Sequence, residues 1–263
     1  MAFWRRLLEG TSWQELVGYV SPAFFQLVSA RDLSHTAYRL VHNWFDEARF
    51  VEANKTRMQS VERCKVGLAW TSAPRRRRAR LPFESEAAYP FQPTDNCRTG
   101  ESALALFFHQ IHVEGPIFLD LRRRNFRCQS PGHPAQLAFA ATPLYGCWSP
   151  AFRNAIQQLY CAFYGDGSLG SYQSALELLG IEPAADLFEK AFGGAKKTAA
   201  RFQLSDFRLT FHDIFLRCLQ AGCSLQPDFL TLGIAIATLY DHLELDGGTY
   251  DVAQCYDRAT QLR

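Results

Sequence analysis

The chain has 263 residues, long for one core and short for three, so one large domain or two small ones is expected. Hydrophobic residues make up 48% and charged residues 21%, which excludes a disordered tail protein. The formal net charge is only +2, so no global field drives binding to nucleic acid or membrane, and any such binding must come from a local patch. The cations are lopsided, with 23 arginines and five lysines, and the first lysine is Lys55.

The segment Met1–Leu8 has two arginines but no apolar core of signal-peptide length. Residues 1–33 read as an aromatic, helical extension, and residues 34–263 as the main domain. From Ser34 to about Gln59, Ala37, Leu40, Val41, Trp44, Phe45, Ala48 and Val51 follow the 3-4 spacing of an amphipathic helix. Cys64, Val66, Leu68 and Trp70 alternate, which predicts a strand over 61–70. Pro74, the run Arg75–Arg78 and Arg80 break it, and the prolines at 82, 90 and 93 mark loop.

Helical periodicity returns at Gly100, with Leu104, Phe107, Phe108 and Ile111 on one face and Gly115-Pro116 as the stop. Residues 116–148 are irregular, with short apolar pieces at 117–119 and 137–140 suited to short strands. Ser149-Pro150 is an N-cap followed by proline at the first helical position. Helices are expected from there to the end: from Ser149, over 171–179 with Gly180 as its stop, over 182–192, from Ser205 to Gly222, over 228–243, and over 252–262. The apolar run Phe229–Tyr240 is twelve residues, too short for a bilayer span of about 20.

The eight cysteines contain no C-x-x-C pair, and reduced, mostly buried thiols are expected. His109 and His112 stand three apart on one helix, a spacing open to metal ligation. With no partnered carboxylate nearby in sequence, a place in the core or on the surface is the simpler reading, and no metal is expected.

One short segment carries candidate chemistry. Phe118-Leu119-Asp120-Leu121-Arg122-Arg123-Arg124-Asn125 contains D-x-x-x-x-N, the spacing of a protein-kinase catalytic loop. There an Asp accepts the proton of the attacking hydroxyl, and an Asn five residues on holds a metal ion against the phosphates. Residues 104–156 resemble the catalytic-loop region of the UbiB/AarF family of atypical kinases. FLDLRRRN stands where that family has HADPHPGN, Ala138 stands where its D-F-G begins, and Ser149-Pro150 opens the next helix. Residues 222–246 are similar to its late apolar helix, and 44–58 more faintly to its Glu-Ala helix. The resemblance implies a mainly α fold: a protein-kinase-like C-lobe with a small, reduced β element.

The departures from the family shape the functional expectation. The motif His is Phe118, Pro-His-Pro-Gly is Leu121-Arg122-Arg123-Arg124, and the D-F-G aspartate is Ala138. Alanine offers no oxygen to magnesium, and no lysine stands where the phosphate-contacting one is expected. Asp120 and Asn125 remain as vestigial catalytic positions. The expectation is an N-lobe-truncated pseudokinase without a cofactor, acting as a scaffold or regulator of a protein partner. The alternatives are an atypical kinase or ATPase in isoprenoid quinone or lipid metabolism, and a peripheral binder of anionic lipid. Arg122, Arg123 and Arg124 could hold an anion or pair with helix carboxylates. Arg75, Arg76, Arg77 and Arg78 suit an anionic membrane surface or a solvated loop. Sequence-specific nucleic-acid binding is not expected, since no aromatic-rich RNA motif accompanies them. A cytoplasmic location, with or without membrane association, follows from these readings. Flotation with anionic liposomes checks the membrane alternative: changing Arg75–Arg78 to Ser abolishes flotation where this run is the anchor.

Overall fold

The longest described helix lies in the core, because its sequence is apolar on almost every face. In the computed structural model, residues 21–45, 68–72, 99–123, 126–127, 135–139, 145–190 and 200–260 are described. They form nine α-helices and five strands: α1 (Phe24–Leu27), α2 (Ala30–Phe45), β1 (Leu68–Ser72), α3 (Gly100–His112), β2 (Ile117–Phe118), β3 (Phe126–Arg127), β4 (Ala135–Phe139), β5 (Tyr145–Gly146), α4 (Pro150–Tyr164), α5 (Tyr172–Leu179), α6 (Ala185–Phe188), α7 (Leu204–Gln220), α8 (Asp228–Asp246) and α9 (Val252–Thr260). The protein is mainly helical.

Helix α8 buries Phe229, Leu232, Ile234, Ile236, Leu239 and Leu243 on different sides, as expected of a helix enclosed by its neighbours. Helix α3 is nearly as apolar and buries every position from Ala103 to Ile111. Rings bind α3 to α4 and α9: Phe108 meets Tyr160, Tyr164 and Tyr256 with centroids 5.4, 5.7 and 5.3 Å apart. These separations lie in the range where edge-on aromatic pairs add to plain burial.

The strands are short and lie between α3 and α4 in sequence, apart from β1. β4 pairs with β1 in parallel and with β3 antiparallel, giving the order β1-β4-β3. β2 and β5 form a separate antiparallel pair, with Ile117 opposite Gly146 and Phe118 opposite Tyr145. From residue 150 to 260 the described chain is helical, apart from an isolated bridge between Ala200 and Tyr250. Of the strand expected over 61–70, residues 68–70 lie in β1, while 61–67 and the part of the 34–59 helix beyond Phe45 lie outside the described residues. The helix expected over 182–192 opens as a 3₁₀ turn, Glu182–Ala184, leading into the short α6, and 191–192 lie outside the described residues. Pro183 sits in that first turn, where its missing N–H costs nothing.

Local chemistry sets the helix ends. Ser149 is extended (φ −61°, ψ 148°) and its hydroxyl accepts from the Phe152 amide, the N-cap expected from the Ser-Pro pair. Helix α5 stops at Gly180, whose φ of 71° suits glycine. Gly100 is required for a different reason: a Cβ there would fall inside the Tyr250 ring and hydroxyl. Cys161, Cys218 and Cys255 are buried free thiols, and burial pushes the Cys218 and Cys255 pKa values up to about 12. Cys64, Cys97 and Cys128 lie outside the described residues.

The C-terminal end of α3 is closed by one cation from α4. Arg153 Nη1 donates to the carbonyls of Gln110 (2.9 Å) and Val113 (2.7 Å), and Nη2 donates to Gly115 (2.6 Å). Burial pulls the Arg153 pKa down, while Cys147 and Glu114 pull it up. The guanidinium complements the negative end of the α3 dipole and satisfies carbonyls that the helix leaves over. Arg153→Met is expected to lower stability by about 3 kcal/mol in urea unfolding, because charge-assisted bonds are lost and buried carbonyls are stranded. Arg153→Lys recovers only a minor part, since a compact ammonium cannot span three carbonyls.

Candidate functional site

The loop bearing Asp120 runs from β2 into β3, and the polar residues of α8 fix its backbone. Thr231, Thr238, His242 and Asp246 are spaced seven, four and four apart, so they form one stripe along an otherwise apolar helix. The Thr238 hydroxyl donates to the Leu119 carbonyl (2.6 Å) and accepts from the Leu121 amide (3.1 Å). His242 Nδ1 donates to the Leu121 carbonyl (2.8 Å). The backbone is therefore clamped on both sides of Asp120. On the other side of the loop, the Gln110 side chain bonds both backbone groups of Phe118, at 3.0 and 3.1 Å.

Asp120 is buried and its carboxylate is engaged by the loop itself. Arg122 Nε donates to Oδ1 at 2.8 Å and Nη2 donates to Oδ2 at 3.0 Å, with the Arg122 amide 3.4 Å from Oδ1. Both side chains are only 10% exposed. This bidentate fork is the strong form of a carboxylate–guanidinium pair. Arg123 instead reaches the end of α8 and pairs with Asp246. Arg122 and Arg123 thus have carboxylates against them, one from the loop and one from a helix. Asn125 and Arg124 lie outside the described residues, as do Arg75–Arg78. Ala138 lies in β4, opposite Thr71 of β1.

Asp246 ties three elements together. Its Oδ2 accepts from the amides of Thr99 (2.8 Å) and Gly100 (2.6 Å) at the start of α3. A carboxylate is favoured by the N-terminal dipole of α3 and disfavoured at the C-terminus of α8, where it also stands. Arg123 offsets the second effect. Beside it, Thr99 Oγ1 donates to His242 Nε2 at 2.7 Å, given that Nδ1 carries the proton given to Leu121. His242 Nε2 is also 3.8 Å from Asp246 Oδ2, but the ring is neutral, so this contact is not an ion pair. Burial holds the His242 pKa down at about 4; the bond to Leu121 raises it and Arg123 lowers it further.

Sequence reasoning selected Asp120 and its arginines but gave no role to Thr99, Gln110, Thr238, His242 or Asp246. The available signal was the spacing of polar residues within the late apolar helix. His109 is fully buried, with Nδ1 3.4 Å from the Ala259 carbonyl. Among the described residues, no three His, Cys, Asp or Glu side chains are grouped to hold a metal ion. No described helix is long and apolar enough to cross a membrane.

Comparison with family models, curated proteins and solved structures finds no match to this chain.

The His242 geometry sets a pH dependence. The folded pKa of about 4 lies below the ordinary value of 6.5, so the unfolded state binds more protons between the two. The contribution of neutral His242 is complete above about pH 6.5 and is lost as pH falls toward 4, by about 3 kcal/mol at most. Urea unfolding from pH 7 to pH 4 is expected to show this loss, and His242→Gln is expected to flatten that part of the profile.

Proposed function

We propose that the protein is a non-catalytic, kinase-like scaffold or regulator of the UbiB/AarF type. The observation that carries this reading is the bidentate grip of Arg122 on Asp120. A catalytic base must have an oxygen directed at the proton it takes. Here both oxygens face a guanidinium of the same loop, and the loop backbone is pinned by Thr238 and His242. A guanidinium in this position withholds the carboxylate from a substrate hydroxyl.

Element order supports the kinase-like part of the reading. An apolar helix leads through Gly115 to a short strand and the Asp120 loop. A strand pair carrying Ala138 follows, and then a helix opened by Ser149-Pro150. This is the order that the sequence resemblance implies. The absence of a carboxylate at position 138 supports the non-catalytic part, because magnesium on a triphosphate is ordinarily held by charged oxygens. A protein partner is the corresponding ligand class.

Thermal unfolding with millimolar ATP, with and without magnesium, tests the proposal. No magnesium-dependent rise in Tm is expected, and no transfer of the terminal phosphoryl group. Micromolar, magnesium-dependent ATP affinity would overturn it and favour an atypical kinase or ATPase. Arg122→Met provides a second check. It leaves Asp120 buried without its fork, so stability is expected to fall by about 3 kcal/mol with no ATP turnover gained. ATP hydrolysis by this variant would show that Arg122 masks a working base.

A further inference from the structure

The end of α7 brings two cysteines together, Cys218 in its last turn and Cys223 just beyond it. The helix stops at Gly222, whose φ of 74° suits glycine. The Gly222 amide donates to the Leu219 carbonyl (3.1 Å), and the Cys223 amide donates to the Cys218 carbonyl (3.0 Å). In a stop of this kind the residue after the glycine folds back over the last turn, and its side chain meets that of the residue whose carbonyl it bonds. The contact is ordinarily apolar. Here both of its members are thiols.

A direct backbone bond holds two residues about as close as a disulfide needs, with Cα atoms roughly 4.4–6.8 Å apart. The side chains also sense each other. Burial pushes the Cys218 thiol up to about 12, and Cys223 adds to that shift through its charge and a hydrogen bond between the two side chains. The thiols are both free, but they differ in access: Cys218 is fully buried and Cys223 is half-buried. Cys223 is therefore the thiol that an oxidant in solution reaches first, with Cys218 behind it. The loop that follows is a joint between elements, because the Leu225 amide donates to the Leu27 carbonyl at the end of α1 (2.9 Å).

We propose that Cys218 and Cys223 form a redox modification site, which a small disulfide such as oxidised glutathione converts to an intramolecular disulfide. The Cys223 thiolate attacks one sulfur of glutathione disulfide, forming a mixed disulfide and releasing one glutathione thiolate. Cys218 then gives its proton to water and attacks the Cys223 sulfur, forming the Sγ–Sγ bond and releasing the second glutathione thiolate. Two cysteine thiols are oxidised, and one glutathione disulfide is reduced to two thiols. Once Cys223 is capped it carries no negative charge, so its own part in holding Cys218 protonated is gone when Cys218 must react. Burial still opposes the Cys218 thiolate, which makes the second step the slower one. A disulfide across so short a loop constrains the unfolded chain little, so the pair suits reversible oxidation better than permanent structure. The site is independent of the Asp120 loop, and its test does not depend on the scaffold reading.

Equilibration of the folded full chain with oxidised glutathione tests the proposal, followed by acid quenching, alkylation of the remaining thiols in denaturant and tandem mass spectrometry. The fragment that begins after Arg217 is expected to lose two hydrogens, with Cys218 and Cys223 both closed to alkylation. Dithiothreitol is expected to restore both thiols. Cys218→Ala, which keeps the buried position apolar, is expected to stop at a stable Cys223–glutathione adduct. Cys223→Ser is expected to leave Cys218 reduced. The wild-type result decides the question even where a variant folds poorly. The proposal is overturned when the wild type keeps both thiols, when Cys223 retains glutathione although Cys218 is present, or when Cys218 pairs with a different cysteine. Oxidation of Cys218 in a folded Cys223→Ser chain overturns it as well.

Discussion

The structure depends on one polar stripe along an apolar helix. A buried helix such as α8 packs against its neighbours without direction, because apolar contact alone does not fix where along the helix a loop should sit. Thr231, Thr238, His242 and Asp246 supply that direction. Thr231 accepts from the Trp148 indole at 2.8 Å, just before α4 begins. Thr238 and His242 set the Asp120 loop, and Asp246 sets the start of α3. Four side chains at helical spacing thus assign places to three segments far apart in sequence. Each is buried, so each bond left unmade would cost its full desolvation. That asymmetry makes the stripe a specifier of register as well as a source of stability.

The same stripe explains why Asp120 can pair so locally. With the Leu119 carbonyl and both backbone groups of Leu121 already bonded to α8, residues 119–121 have little freedom left. Arg122 then needs only to fold back over two residues to reach both carboxylate oxygens. An ion pair between near neighbours on a fixed backbone loses less conformational entropy than one between two mobile segments. Burial raises the penalty for separating the pair. The pairing is therefore a consequence of the pinned loop, and a substrate hydroxyl would have to displace an already oriented guanidinium to reach Asp120.

Much of the helical half was legible in the residues. Ser149-Pro150 marked the start of α4, Gly180 the end of α5, and the run from Phe229 the core of α8, because caps, stops and apolar runs are local signals. The β pairs were less legible. Strands β2, β3 and β5 have two residues each, too few for alternation to show. The parallel pairing of β1 with β4 joins residues more than sixty positions apart, which no local pattern encodes. The opening of the 182–192 segment was hidden as well, since apolar spacing does not show that the backbone tightens into a 3₁₀ turn at Pro183. At the site, the Asp120–Arg122 pair needed geometry to be seen: R-R-R reads as a cationic patch until the neighbouring carboxylates are placed. Asp246 was visible only as the end of a helix, and its role depends on Thr99, some 150 residues earlier.

The two halves of the molecule are thus held in different ways. Around the Asp120 loop, buried polar atoms are joined into a connected set: Asp246 serves two amides and a guanidinium, and His242 a carbonyl and a hydroxyl. Such a set is rigid, because moving one member strands the others. In the helical half, by contrast, the rings of Tyr160, Tyr164 and Tyr240 are held by aromatic neighbours. In the loop region a ligand would have to break bonds already made. The loop whose sequence first suggested chemistry thus has its polar groups committed to its own geometry.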